Sequence, residues 1–207
     1  VDAAVGPGQD HRRRPRAATR ARVQPLSQRV VEVAPARYLA WRARFDASNA
    51  GPDARQHILA VERFDHDPLV LLLVRRGGYA VGLARGGRLA AHKVGTRYVQ
   101  SRTAAGGWSQ QRYARRRANQ ADELVEATAG HLARLLAGAG GIPGLGGQPG
   151  LVLGGDRALV EAVLQEAPLR GLDALPARTL YDLPDPRLDV LQRAVERGSA
   201  VRVTISE

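Results

Sequence analysis

The feature that most constrains the fold is Leu69 to Val74, an unbroken apolar run followed by closely spaced glycine pairs. A short apolar run bounded by turn residues is typical of a strand that is buried on both faces. The turns Arg75 to Gly78 and Gly86-Gly87 then separate this run from two further segments, Tyr79 to Ala84 and Arg88 to Val94. The sequence therefore predicts three antiparallel strands joined by tight turns, which is a β-meander.

Helical and strand periodicity surrounds this meander. Before the meander, the pattern predicts a strand at Val30 to Val33, a helix from Pro35 to near Ser48 and a short strand at His57 to Val61. After the meander, it predicts a helix from about Gln110 to about Ala137 and a flexible glycine linker from Gly138 to Gly150. The rest of the chain is predicted to form a strand at Leu151 to Leu153, a helix capped by Asp156, a strand at Leu180 to Leu183, a helix from Pro186 to Arg197 and a terminal strand at Val201 to Ile205. This order predicts an α/β fold in which helices flank a mixed sheet.

Length and composition limit the organisation and the class of the protein. At 207 residues, the chain is long enough for one substantial core and a small N-terminal part. We expect a disordered basic arm at 1–28, a strand and helix segment at 29–67, and the main domain at 68–207. The chain has no cysteine, which excludes disulfides and thiolate metal sites. Since no apolar run spans a bilayer, we expect a soluble, cytoplasmic protein without membrane contact.

Positive charge is concentrated in one part of the chain. From Pro68 to Ala121, here called the acid-free segment, there is no Asp or Glu, and its eleven basic residues equal the formal net charge of +11. A local positive field attracts and holds polyanions in a salt-dependent way, which favours nucleic acid as the partner. A general arginine bias is the alternative, but it does not explain why carboxylates are missing from one region.

The acid-free segment contains a polar glycine turn that runs into an arginine-rich helix. In order, its residues are Gly106, Gly107, Trp108, Ser109, Gln110, Gln111, Arg112, Tyr113, Ala114, Arg115, Arg116 and Arg117. Glycine lets a ligand approach the backbone closely, and arginine binds phosphate. A glutamine amide is neither a strong base nor a nucleophile, but it can orient water, while nearby backbone N–H groups can stabilise an oxyanion. This chemistry fits cleavage of a peptidyl ester carried on RNA.

Other chemistries find no support in the sequence. The five histidines are scattered without metal-ligand spacing, and the serines and threonine of the basic loop have no histidine nearby. No phosphate-binding glycine motif follows a predicted strand. We therefore expect neither a metal nor a cofactor.

Three blocks of the sequence resemble one family of release factors. The similarity is to the bacterial VLRF-type branch of the Vms/ANKZF-like peptidyl-tRNA hydrolases, and it lies in residues 74–82, 93–100 and 106–117. This family resembles the catalytic domain of eukaryotic and archaeal class-one release factors. In class-one factors a GGQ loop precedes a serine and an Arg-aromatic-Ala-Arg run. Here Arg112 to Arg115 matches that run, and the displaced glutamine gives the GxxQ pattern of the Vms/ANKZF type at Gly107 to Gln110.

The resemblance implies a fold, an activity and a set of site residues. The implied fold is that of a release-factor catalytic domain, an RNase H-like α/β layer with a projecting Gly/Gln loop. The implied activity is hydrolysis of the ester between nascent peptide and tRNA on stalled large ribosomal subunits, which is a reaction of ribosome rescue and quality control. The resemblance implies Gln110 as the catalytic glutamine, with Gly106, Gly107 and Ser109 beside it. The residues expected to contact RNA are Arg97, Arg102, Trp108, Gln111, Arg112, Arg115, Arg116 and Arg117. The expected partners are large-subunit rRNA and peptidyl-tRNA, bound by a monomer.

Several alternatives stay open at the level of the sequence. The same family also suggests endonuclease cleavage near the tRNA 3′ end, and a non-catalytic RNA-binding module or an α/β domain unrelated to RNA would carry a similar charge. Gln111 competes with Gln110 for the catalytic register. A literal GGQ occurs at Gly146-Gly147-Gln148, but no arginines follow it directly, and we interpret it as coincidental.

Overall fold

The computed structural model describes residues 27–52, 54–96 and 109–206, with the backbone alone at 109–118. Most of the predicted basic arm and the segment 97–108 lie outside the described residues. In the described ranges, no helix is long and apolar enough to cross a membrane.

The centre of the fold is a five-stranded mixed sheet with the order β5-β4-β3-β6-β7. β3 (Leu69–Arg75), β4 (Gly78–Arg85) and β5 (Arg88–Thr96) are the antiparallel meander that the sequence predicts. β6 (Gly150–Gly155) and β7 (Ala177–Leu180) continue the sheet parallel to β3. The end of the sheet at which β3, β6 and β7 finish is called the carboxyl edge below. The predicted α/β fold with a mixed sheet is confirmed.

Helices cover both faces of this sheet. α2 (Ser109–Gly138) and α4 (Arg157–Gln165) pack on one face, where alternate residues of β3 such as Val70 and Leu72 are fully buried. α5 (Leu188–Ser199) packs on the opposite face against Leu71 and Leu73. β3 is buried on both sides because a central strand between two helical layers has no face in contact with water, and its apolar run reflects this position.

A second, three-stranded sheet has the order β1-β8-β2. Its strands are β1 (Gln28–Val33), β2 (His57–Glu62) and β8 (Val201–Ser206), and α1 (Pro35–Ser48) packs on it. The predicted alternation of strands and helices would place the terminal strand in the mixed sheet, and this placement is wrong. β8 instead pairs antiparallel with β1 on one side and β2 on the other, where its residues Val201, Val203 and Ile205 complete a small separate core.

Two local predictions also need correction. The glycine stretch after α2 is not a flexible linker: it contains α3 (Gly141–Gly144), the buried Leu145, and a backbone bridge between Gln148 and Asp67. The apolar Leu145 gives the stretch a packing role that its glycine content conceals. The strand predicted at Leu180 to Leu183 lies at Ala177–Leu180, since pairing with β6 determines which residues are extended.

Candidate functional site

The predicted catalytic glutamine lies at the start of the longest described helix. β5 ends at Thr96 and α2 begins at Ser109, so Gln110 and Gln111 are the second and third residues of α2. The first amides of a helix have no partner within the helix, and they carry the positive end of its dipole. Four predicted RNA contacts, Arg112, Arg115, Arg116 and Arg117, belong to the same first turns. Gly106, Gly107 and Trp108, together with Arg97 and Arg102, lie outside the described residues.

The end of β5, where the segment that carries the glycine turn begins, is linked to the body of α2. Thr96 lies opposite Gly78 at the carboxyl edge, and the Tyr79 ring lies over Gly95, where a Cβ would come within 2.5 Å of the Tyr79 hydroxyl. The same ring stacks on His131 of α2, with 5.4 Å between the ring centroids. Tyr79 therefore connects the last residues of β5 to the body of α2.

The second half of α2 anchors the helix in the core. Leu124 and Leu132 are fully buried, and α2 packs on β4, β5 and α4. Thr128, also fully buried, donates its hydroxyl to the Leu124 carbonyl at 2.6 Å, which satisfies a polar group without breaking the helix. These contacts hold the second half of α2 against the sheet.

Unpaired cations continue along the described part of the acid-free segment. Arg76, Arg85, Arg88 and Lys93 are exposed, and none of the ion pairs among the described residues includes them. Arg75 is partly buried and donates to the Leu183 carbonyl at 2.6 Å. Because Arg76, Arg85, Arg88 and Lys93 form none of these ion pairs, they contribute to a positive surface potential that attracts polyanions.

Carboxylates gather in a different place. A cavity of about 680 Å³ lies along α2, and Glu123, Glu126 and Glu166 contribute to its wall. Its three carboxylates outnumber the one arginine in its wall, Arg134, so this cavity does not fit the predicted RNA contact. Among the described residues, no group of three or more His, Cys, Asp or Glu side chains could hold a metal ion.

The literal GGQ occupies a structural turn at the other end of the sheet. Gln148 and Asp67 exchange two backbone hydrogen bonds of 3.0 Å, directly before β6 begins. Gly147 has a φ of 60° on this turn, and a Cβ there would collide with the Asp67 carbonyl. Since β3 and β6 start at this end and Thr96 lies at the carboxyl edge, the GGQ turn and the end of β5 are at opposite ends of the sheet.

A comparison with protein families now identifies the domain. The model of the family described as Actinobacteria/chloroflexi VLRF1 release factor matches residues 67–204. The chain belongs to this family. A search of curated proteins finds no match. Membership makes the chain release-factor-like, with a role in translation and an interaction with the ribosome. The VLRF1 match includes the first four residues of β8 but not β1, α1 or β2.

The structure also brings together residues that the sequence did not single out. The sequence assigns Arg75 and Arg76 to a turn and to the charge of the acid-free segment, but not to a site, and Asp185, more than a hundred residues later, carries no signal at all. The three side chains line one crevice at the carboxyl edge. The doubled arginine was the one available hint, whereas the carboxylate comes from a distant part of the chain.

Proposed function

We propose that this VLRF1-family protein is a peptidyl-tRNA hydrolase that releases nascent peptide from stalled large ribosomal subunits. One observation carries the proposal: the GxxQ sequence ends in the first turn of α2, in the last third of the acid-free segment and just before four of its arginines. The family match covers this region and supports a release-factor role.

The proposed reaction is hydrolysis of the ester between the peptide and the terminal ribose of the tRNA. Gln110 orients a water molecule, whose oxygen forms a bond to the ester carbonyl carbon. The bond from that carbon to the ribose oxygen breaks, and the ribose oxygen takes up the proton that water loses. Because a glutamine amide cannot act as a strong base, the rate gain comes from positioning and from N–H groups that stabilise the oxyanion. Gly106 and Gly107 leave room for the substrate backbone, with Ser109 beside them.

Substrate binding in this proposal depends on charge. Arg97, Arg102, Arg112, Arg115, Arg116 and Arg117 contact phosphates of rRNA and of the tRNA acceptor end, and Trp108 stacks on an unpaired base. Arginine in the first turns of a helix opposes the helix dipole, so these residues cost stability unless an anion is bound.

The direct test is release of labelled peptide from peptidyl-tRNA bound to purified large ribosomal subunits. We expect Gln110→Ala to lower the release rate by about 100-fold or more, because positioning and electrostatic terms of this kind contribute two to three powers of ten. Gln148→Ala is the matched control and should release peptide at close to the wild-type rate, whereas Gln111→Ala tests the register and should lower the rate much less than Gln110→Ala. A loss in Gln111→Ala alone would move the catalytic register by one residue.

The products of the same assay decide which bond is cut. Ester hydrolysis yields free peptide and a tRNA with an intact 3′ end, whereas endonuclease cleavage yields a peptide that still carries nucleotides. If the wild-type protein binds the subunit but yields neither product, the hydrolase proposal is wrong and a binding role remains.

A further inference from the structure

A crevice at the carboxyl edge lies between the ends of β3 and β6. Its walls are Arg75, Arg76 and Gly77 on one side, and Gly155, Asp156 and Asp185 on the other. Its volume is about 370 Å³, within the range of roughly 300–1,000 Å³ that is common for small-molecule sites.

The topology of the sheet creates this crevice. β3 continues through a tight turn to β4 on one side, while β6 continues through α4 to β7 on the other side. Neighbouring parallel strands whose connections leave in opposite directions form a topological switch point, where open α/β sheets bind their ligands. The crevice opens at this point and is therefore a feature of the fold.

The backbone around the crevice is held in place. Gly155 has a φ of 102°, and a Cβ at this position would collide with the Val74 carbonyl, so only glycine fits. The Asp156 amide donates to that same carbonyl at 2.8 Å, and Asp156 Oδ1 accepts from the Ala158 amide at 3.1 Å as the cap of α4. These contacts fix the floor without using the outer side chains.

The outer side chains combine both charges. Arg76 is exposed and forms none of the ion pairs among the described residues, and the Arg75 guanidinium is oriented by the Leu183 carbonyl. Asp185 Oδ1 lies 4.0 Å from Arg75 Nη1, and the Asp185 side chain is 74% exposed. A bare anion would be repelled by the carboxylate, but a ligand with both a phosphate and a hydroxyl donor suits this arrangement.

We propose that this crevice binds one ribonucleotide of an RNA strand. Arg75 and Arg76 contact its phosphate, and Asp185 accepts a hydrogen bond from its ribose 2′-hydroxyl. The choice of RNA as the partner rests on the proposed function. The position supports it, since Gly78 pairs with Thr96 and the crevice therefore lies beside the start of the segment that leads to the GxxQ. The 2′-hydroxyl is the group that distinguishes RNA from DNA, and the carboxylate gives the crevice a means to recognise it.

The first experiment measures the affinity of the full chain for a labelled single-stranded oligoribonucleotide by fluorescence anisotropy. Arg76→Ala should weaken binding about tenfold through loss of a charged phosphate contact. Arg85→Ala removes the same charge from the other turn of the meander and should weaken binding less than about twofold. Equal losses in the two variants would mean a diffuse field and would overturn the site.

The second experiment compares RNA with DNA of the same sequence. Removal of a carboxylate also lessens repulsion of any polyanion, so the measured quantity is the ratio of the two affinities. We expect Asp185→Ala to lower the RNA preference toward one, while Asp173→Ala, an exposed carboxylate outside the crevice, preserves it. An unchanged ratio in Asp185→Ala would overturn the assigned contact.

Two further comparisons distinguish RNA from a free nucleotide as the ligand, and failure of the crevice proposal from failure of the hydrolase proposal. A free ribonucleoside monophosphate that competes as well as the oligonucleotide would overturn RNA as the ligand. If the wild-type protein releases no peptide but its RNA binding depends on Arg76, the hydrolase proposal fails and the crevice stands. If peptide is released and Arg76→Ala binds RNA like the wild type, the crevice proposal alone fails.

Discussion

The two sheets of this protein are stabilised in different ways. In the five-stranded sheet, the central strand β3 is covered by helices on both faces, and its residues Leu69 to Val74 are at most 2% exposed. In the three-stranded sheet, α1 covers one face, and Val30, Leu59 and Val61 remain exposed. The small sheet has a buried core on the face that α1 covers and also makes ion pairs to the main body, so charge adds to burial there.

The polar contacts are centred on Glu32 of β1. Its carboxylate accepts from Arg197 of α5 at 2.6 Å and from Arg202 of β8 at 3.2 Å, and Arg197 also binds Asp182 at 2.8 Å. Residues from the first described strand and the last one thus meet at the end of α5. The N-terminal part, which consists of β1, α1 and β2, is therefore attached to the VLRF1 domain by pairing with β8 and by an ion-pair network.

The largest expected effect is in the buried sheet. Leu72→Ala removes a fully buried side chain from β3 and should lower the free energy of unfolding by about 2–5 kcal/mol. Leu59→Ala makes the same chemical change in β2 at a side chain that is 51% exposed, and it should change the free energy by about 0.5 kcal/mol or less. Urea denaturation measures both, and equal losses would contradict the comparison.

The second-largest loss of stability is expected at the junction of the two sheets. Arg178 of β7 is buried, and its Nη1 donates to the carbonyls of Gly198 and Ala200, which connect α5 to β8. Arg178→Met keeps most of the apolar stem but leaves these carbonyls unpaired, at a cost of about 1–3 kcal/mol. Arg178→Lys keeps a donor and should recover part of the loss in thermal or urea unfolding. No difference between Met and Lys would exclude the hydrogen bonds as the cause.

A smaller, pH-dependent effect is expected at Glu32. Burial acts to raise the pKa of Glu32, but the hydrogen bonds and charges of Arg197 and Arg202 outweigh it, so the pKa lies below its ordinary value of 4.5. A carboxyl with a lowered pKa in the folded protein stabilises it above the unfolded pKa, and this contribution is lost as the pH falls through the folded pKa.

The Glu32→Gln variant tests this contribution. At neutral pH it should lower the free energy of unfolding by about 1–2 kcal/mol, since the pair is mostly buried. Below about pH 4.5 the wild type should lose stability faster than Glu32→Gln, so that the two curves converge. Parallel curves from neutral to acidic pH would show that Glu32 does not contribute in this way.

The smallest effect is expected on the surface of α1. Arg42 and Asp46 form an exposed pair at 2.8 Å, four residues apart. Pairs of this kind contribute about 0.5 kcal/mol or less, so Asp46→Asn should unfold at nearly the same urea concentration as the wild type. It serves as the carboxylate control for Glu32→Gln, and a loss as large as that of Glu32→Gln would remove the distinction between the junction and the open surface.

Local patterns predicted most of the elements but not all of their partners. The apolar run at Leu69 to Val74 and the glycine pairs predicted the meander, and the proline at 35 predicted the start of α1, because these signals act over a few residues. Asp156 was correctly predicted as a helix cap for the same reason. The prediction that the terminal strand β8 belongs to the mixed sheet was wrong. The apolar pattern of a strand indicates which of its residues are buried, but it does not indicate against which core they pack.

Residue order alone identifies the family, the alternation of strands and helices, the acid-free segment and the GxxQ at the start of a helix. These properties depend on motifs and on periodicities within one element. Three contacts are visible only in the folded chain: β8 joins β1 and β2, Tyr79 connects β5 to α2 through His131, and Asp185 faces Arg75 across a crevice. Such contacts join residues from tens to more than a hundred positions apart, and they form only when packing of the whole chain brings those surfaces together.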